Sequence, residues 1–164
     1  MLIQIFFWYF GAYEVLPDSL NEWLNQWDYE FAAALVALTI YTSAFIAEDI
    51  RSGIRSIPKE QMEAARSQGF SFLGAMRYVI LPQAIRNTIP PLISQFLNAT
   101  KNSSLAMTIG VAELTYQARQ IESYTFKGLE AFSAATLVYL MISLSITALV
   151  VLYDKRVLSP VRAH

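Results

Sequence analysis

Residues 131–153 read AFSAATLVYLMISLSITALVVLY, and no charged side chain interrupts the run. A helix needs roughly 20 consecutive apolar residues to cross a hydrocarbon core, and this stretch passes that length. A second uncharged run, residues 31–47 (FAAALVALTIYTSAFIA), reaches it with Tyr29 and the end residues Glu48 to Ile50. Buried helices of soluble proteins rarely stay uncharged for so long. The two runs imply an all-α fold, a polytopic transmembrane helical bundle. Composition agrees: 55% of the 164 residues are hydrophobic and 15% charged, against about 25% charged in soluble domains. A chain of this length fits one domain, residues 1–164.

Several chemistries are excluded at the same level. There is no cysteine, hence no thiolate chemistry. The single histidine is the terminal residue, His164, too little for most zinc sites or histidine-based acid–base catalysis. The net charge of −1 offers no basic surface for nucleic acid.

Working outward, residues 2–13 (LIQIFFWYFGAY) form a partial span whose Trp8, Tyr9 and Tyr13 suit a membrane interface. With no basic region ahead of it, the segment reads as a helix entered partway along, not as a signal peptide; the expectation is a chain that begins further upstream or a truncated gene product, with a short interfacial helix as the alternative. Residues 14–30 carry Glu14, Asp18, Glu22, Asp28 and Glu30 without a Lys or Arg, and Trp23 and Trp27 lie one helical turn apart. An amphipathic segment at the water boundary fits. The first full span covers 29–50. Residues 51–77 then hold Arg51, Arg55, Lys59, Arg66 and Arg77 against Glu60 and Glu63, and the tail adds Lys155, Arg156 and Arg162. The positive-inside rule puts both basic segments in the cytoplasm and the acidic one outside.

Two crossings between the basic segments satisfy that orientation, residues 78–100 outward and 130–153 back. The outward span contains Arg86, Pro82, Pro90 and Pro91. Prolines free backbone carbonyls, and intramembrane charge faces protein or water, so this span belongs inside the assembly. Gln83, Asn87, Ser94 and Asn98 recur at helical spacing; a substrate path and hydrogen bonding between helices account for that stripe about equally. Residues 103–116 open with a moderately apolar stretch too short to cross, as a re-entrant or gate helix would.

The segment between the spans, residues 56–82 (SIPKEQMEAARSQGFSFLGAMRYVILP), carries a short helix over about 57–70. Pro58 suits a first turn, Glu60 and Glu63 suit the positive end of the helix dipole, Ser56 is a candidate cap, and Gly69 can end the helix in a left-handed conformation. A helix this short is marginal alone in water and needs a partner to dock into. Ala64, Ala65, Phe70 and Phe72 are shaped for insertion into a groove.

Glu63-Ala64-Ala65, three further residues, Gly69, then Leu81-Pro82 resemble the cytoplasmic EAA loop of ABC importer permeases. That pattern has an isoleucine ten residues after the glycine; Val79 stands there. The flanks YTSAFIAEDIRSGIRSIPKEQMEAA (41–65), LPQAIRNTIPPLISQF (81–96) and KNSSL (101–105) resemble the polar amino acid branch, as does the opening LIQIFFWYF. The resemblance covers nearly the whole chain; members of the family have additional helical sequence ahead of that point.

The resemblance implies a type I permease subunit in a bacterial inner membrane, moving amino acids by alternating access. Its coupling helix, through Glu63, Ala64, Ala65, Gly69 and Phe70, would seat in a separate ATP-binding subunit that holds ATP and Mg. The other implied partners are a second permease subunit, identical or different, a periplasmic amino-acid-binding protein and the lipid bilayer. No cofactor is expected on this chain, no phosphate-binding GxxxxGK[ST] occurs in it, and it is not expected to be an enzyme. A zwitterion needs an ammonium partner and a carboxylate partner, for which Glu48, Arg86, Gln95, Asn98, Lys101 and Ser103 are candidates. For Glu48, pairing with Arg51 or Arg55 is the favoured reading, and Lys101 with Ser103 or Ser104 could equally satisfy a helix break. The alternatives are an ATP-independent secondary transporter or channel, an ABC permease for another small solute and, least, a membrane enzyme.

Overall fold

The computed structural model describes residues 1–26 and 28–153. Trp27 and the tail bearing Lys155, Arg156, Arg162 and His164 lie outside them. Every regular element among the described residues is helical.

The chain opens with α1, which runs as Leu2–Phe6, a π-helical turn Phe7–Gly11, and Ala12–Val15. Pro17 then starts α2, Asp18–Asn25. The long α3, Tyr29–Arg55, follows, and the short α4 is Lys59–Ser67. Helix α5 begins at Ser71, whose hydroxyl accepts a hydrogen bond from the Gly74 N–H (3.1 Å). It runs through Phe72–Ala75, a π-helical turn Met76–Ile80, and Leu81–Asn102. Pro82, just past the wide turn, lacks the N–H of a regular helix and would crowd the carbonyl four residues back. The turn before it relieves that conflict, because Leu81 N–H reaches the Met76 carbonyl instead.

Expected element boundaries move in three places. The first full span, expected over 29–50, continues as helix to Arg55. The second, expected over 78–100, is preceded by helical residues from Phe72. The segment 103–116 is two elements. A 3-10 helix, Ser103–Ile109, ends at Gly110 in the left-handed region (φ 96°), and α6, Leu114–Thr125, starts afresh. The Glu113 carboxylate caps α6, accepting from Thr115 N–H (2.9 Å) and Tyr116 N–H (2.8 Å). Helix α7, Gly128–Tyr153, closes the described chain.

Two helices among the described residues are long and apolar enough to cross a membrane, Tyr29–Arg55 and Gly128–Leu152. Only 22% and 6% of their most apolar windows are covered by the chain itself. Helix α5 carries Arg86, Pro90, Pro91 and Lys101 and is too polar to join them.

The chain forms two compact units. The first comprises Met1–Thr42 and Leu97–Leu152; the second is built on Ser43–Phe96. The first unit's core is Ile5, Ala33, Ala34, Ala37, Ala106 and Ile109, with Trp8, Tyr9 and Tyr29 packed against it. Alanines dominate because they let helix backbones approach closely, the usual mode of helix contact in lipid. Tyr29 also donates its hydroxyl to the Trp8 carbonyl (3.1 Å). A smaller cluster, Ala118, Ala131 and Ala135, seats α7 on α6. There the Tyr139 hydroxyl donates to Glu113 Oε2 (2.8 Å). In the second unit, α3 crosses α5 where Gly53 faces Ala84 and Thr88.

Candidate functional site

Two features of the second unit bear the sequence signals, the turn that ends α4 and the crossing behind it.

Helix α4 starts at Pro58, whose extended backbone (φ −57°, ψ 141°) serves as cap position without a side-chain cap. Ser56, the expected cap, does something else. Its hydroxyl donates back to the Gly53 carbonyl (2.8 Å) and accepts from Asn87 Nδ2 (2.9 Å). The turn through Ile57 and Pro58 leaves Ser56 on the end of α3, out of reach of the new helix. The far end of α4 closes with backbone alone. Phe70 N–H reaches the Ala65 carbonyl (3.2 Å), Gly69 N–H the Arg66 carbonyl (3.0 Å), and Gly69 takes φ 89°. That pair of bonds across a left-handed residue is the Schellman arrangement.

The turn leaves a distinct surface. Ala65 is buried at 5% exposure and Met62 half-buried, so they hold α4 to the unit. Glu63 and Ala64 are exposed. Gly69 has nothing within 4 Å of where a Cβ would be. Beyond it Phe70, Phe72 and Leu73 are all exposed, Leu73 at 77%. A charged and small-residue helix face followed by three exposed apolar side chains is an unusual tip for one chain to keep in water. The expected helix of about 57–70 is the nine residues Lys59–Ser67 plus this turn.

Behind the turn, Gly53 is buried, and a Cβ placed there would lie 1.9 Å from Thr88 Oγ1 and 3.3 Å from the Ala84 carbonyl oxygen. Ala84 and Thr88 are themselves buried, at 2% and 6% exposure. Thr88 returns its hydroxyl to the Ala84 carbonyl (2.8 Å), so it adds no unmet donor to the contact. One side of the crossing is an apolar groove of about 230 Å³, including Ile50, Ile54, Ile85 and Leu92. Another side is a polar cavity of about 250 Å³ lined by Asp49, Ser52, Gly53, Ser56, Asn87 and Pro91.

The inner-membrane-component model of binding-protein-dependent transport systems matches residues 1–159. The chain belongs to that family. It is 49% identical over 126 residues to the probable glutamine ABC transporter permease protein GlnM of Bacillus subtilis, covering 77% of this chain and 58% of that one. It is 34% identical to the glutamate/aspartate import permease protein GltJ of Escherichia coli K12, over 98% of this chain and 67% of the relative. A solved chain from a structure described as an amino acid ABC transporter with histidines superposes with a TM-score of 0.82 at 36% identity, covering 95% of this chain and 69% of that one. The chain thus spans a little over half of the B. subtilis permease and about two thirds of the E. coli one.

In this transport-system component Glu63 and Ala64 are exposed on α4, Ala65 of the expected docking set is instead buried against the unit, and Gly69 and Phe70 form the turn just beyond the helix. The substrate-path candidates are divided between the two units. Glu48, Arg86 and Gln95 fall in the second unit, and Asn98, Lys101 and Ser103 in the first. Glu48 is exposed and paired with Arg51, the favoured reading. Arg86, Asn98 and Lys101 are exposed, and Gln95 is half-buried. Ser103 and Ser104 turn their hydroxyls to the carbonyls of Thr100 (2.8 Å) and Lys101 (2.7 Å). They satisfy the break between α5 and the 3-10 helix.

The polar stripe divides in the same way. Gln83 and Ser94 bond carbonyls of their own helix, at Val79 (2.9 Å) and Pro90 (3.3 Å). Asn87 donates across to Ser56, just past the end of α3 (2.9 Å). The residue that composition and spacing passed over is Asp49. It lies half-buried beside the polar cavity, and its Oδ2 is buried with no hydrogen-bond partner among the described residues. Its signal was available: an acid one residue inside the more conspicuous Glu48, on the α3 face shared with Ser52, Gly53 and Ser56 at helical spacing.

Proposed function

We propose that this chain is part of the membrane-spanning subunit of an ATP-driven importer that carries polar amino acids across a bacterial inner membrane. In this reading α4 and the Gly69 turn are gripped on the cytoplasmic face by a separate ATP-binding subunit, which holds ATP and Mg and does the hydrolysis. The helices change between inward-open and outward-open arrangements as that subunit closes and opens. A second permease subunit completes the path, and a binding protein delivers substrate at the outer mouth. The names of the relatives, glutamine and glutamate/aspartate permeases, support the substrate class.

The observation that carries the reading is the exposed tip. Glu63 and Ala64 are exposed, the turn at Gly69 is fixed by backbone bonds, and Phe70, Phe72 and Leu73 project beyond it. Exposed aromatic residues on a rigid turn are the kind of anchor that fills a partner's pocket. The basic charge of 51–77 supports a cytoplasmic position for that turn.

The absence of cysteine makes the test clean. A single cysteine at Ser67 in the intact membrane assembly should react with an impermeant maleimide only from the cytoplasmic side. A photo-crosslinker at Phe70 should trap the ATP-binding subunit. Labelling of residue 67 from the outer side alone, or no ATPase in the crosslink, defeats the proposal.

A further inference from the structure

Helices α6 and α7 form a hairpin within the first unit. Glu113, whose carboxylate starts α6, takes the Tyr139 hydroxyl of α7 (2.8 Å). From Gly128 to Tyr139 helix α7 rises by about 16 Å, and the 12 residues of α6 cover about 18 Å. The lengths match, so α6 runs back beside the first half of α7 and joins it through Phe126 and Lys127. Residues Gly128–Leu152 are long and apolar enough to cross a membrane. The corner therefore stands where that span begins, at the boundary between water and hydrocarbon.

The corner is stiff and turns apolar side chains outward. Phe126 N–H bonds the Glu122 carbonyl (2.8 Å), and Lys127 N–H reaches Thr125 Oγ1 (3.3 Å). A Cβ added at Gly128 would lie 3.3 Å from Glu122 Cγ. Phe126 itself takes φ 57°, in the left-handed region. Glycine or asparagine usually fills such a helix-ending position, because other L side chains are strained there. The phenylalanine that accepts this strain is 88% exposed, and Tyr124 and Leu129 are each 82% exposed. Ala118 faces α7; Ile121 and Tyr124 lie to one side of it, and the exposed Arg119 and Ser123 to the other. Past the corner, Leu129, Phe132, Ser133, Thr136 and Leu137 line an open groove of about 400 Å³ along α7. Thr136 has given its hydroxyl to the Phe132 carbonyl (2.8 Å). The corner's charges are mixed, Lys127 against Glu122 and Glu130, and favour no headgroup of one sign.

We propose that this corner is a membrane anchor whose occupant is a bilayer phospholipid. Tyr124, Phe126 and Leu129 enter the leaflet where α7 begins, and an acyl chain lies along the groove from Leu129 to Leu137. Lipid is the occupant because the groove continues the bare surface of α7, whose most apolar window is only 6% covered by the chain. Tyrosine is also a residue that gathers at membrane boundaries. Burial of the Phe126 ring in lipid offsets the strain of its backbone. The inference needs α7 to enter a bilayer and asks nothing of an ATP-binding subunit.

With no native cysteine, Phe126→Cys and Ser123→Cys can each carry a nitrobenzoxadiazole label in the full chain. The vesicles are phosphatidylethanolamine and phosphatidylglycerol, brominated near the top of the acyl chains. Bromolipid should quench the label at 126 about twofold more than the label at 123, as expected for an interfacial apolar face, and aqueous iodide should show the reverse order. Asparagine tolerates the left-handed position, so Phe126→Asn removes the ring and keeps the fold. In that background, bromolipid quenching of a label at Tyr124→Cys should fall by about half, the ring's burial being lost. Equal quenching at 123 and 126 overturns the inference, as does unchanged quenching at 124 after the asparagine change. A label at 126 that iodide reaches freely, and that only an added soluble protein shields, would make the corner a protein dock and overturn it too.

Discussion

Gly53 and Gly69 lie sixteen positions apart in the second unit and answer opposite demands. Gly53 sits inside α3 with ordinary helical backbone, and its missing side chain is what matters, because Thr88 and the Ala84 carbonyl occupy the space. Gly69 has open space around it and a backbone at φ 89° that L side chains rarely adopt. One glycine is a packing surface and the other a conformational hinge point. The difference separates how the unit holds together from how it presents its tip.

The largest expected effect breaks the packing side. Gly53→Leu forces a side chain into Thr88 and the α5 backbone, and should cost about 3 kcal/mol or more, the upper range of overpacking. Thermal unfolding of the detergent-solubilised protein, followed by size exclusion, measures it. Thr88→Ala in the Gly53→Ala background should recover part of the loss, since the nearest clash is with the Thr88 hydroxyl; no recovery would place the conflict in backbone alone.

The conformational side is milder for stability and harsher for activity. Gly69→Val should destabilise by about 1–2 kcal/mol, the strain of a left-handed L-residue, because no neighbour is there to clash. On the docking proposal, Gly69→Trp inserts normally yet loses uptake and substrate-coupled ATP hydrolysis in proteoliposomes. Normal uptake by that variant would reduce Gly69 to a helix end and no more. Two smaller changes sharpen the contrast. Ser71→Ala removes the cap that starts α5 just past the turn and should cost about 1 kcal/mol by the same unfolding measurement. Glu48→Gln breaks an exposed ion pair and should cost under about 1 kcal/mol, with uptake unchanged; a large loss of uptake would return Glu48 to the substrate path.

The same contrast marks what could be read without coordinates. The turn was legible because its determinants are local: a proline at the entry, acids in the first turn, and a glycine where the helix must stop. The two long apolar spans were legible for a similar reason, since crossing length depends on a continuous run. The crossing was not. Gly53 meets Thr88 thirty-five positions on, and nothing in either neighbourhood names the other. Ser56 misled for that reason, spaced like a cap but bonded to Gly53 and Asn87. Residues 103–116 misled differently. Their apolar stretch suggested one helix, while Gly110 and the Glu113 carboxylate cut it in two. Asp49 was overlooked because its neighbour Glu48 offered an obvious partner, and only packing reveals which of two adjacent acids goes without one.

Helix α7 is apolar nearly all round and almost bare of its own chain. Greasiness of that kind sets how deep a rod sits in a bilayer but gives it no reason to prefer one azimuth. The anchors that break the symmetry are the Ala131 and Ala135 seat and the Tyr139 hydroxyl on Glu113. Because Glu113 also starts α6, a single carboxylate both begins one helix and stops the next from spinning.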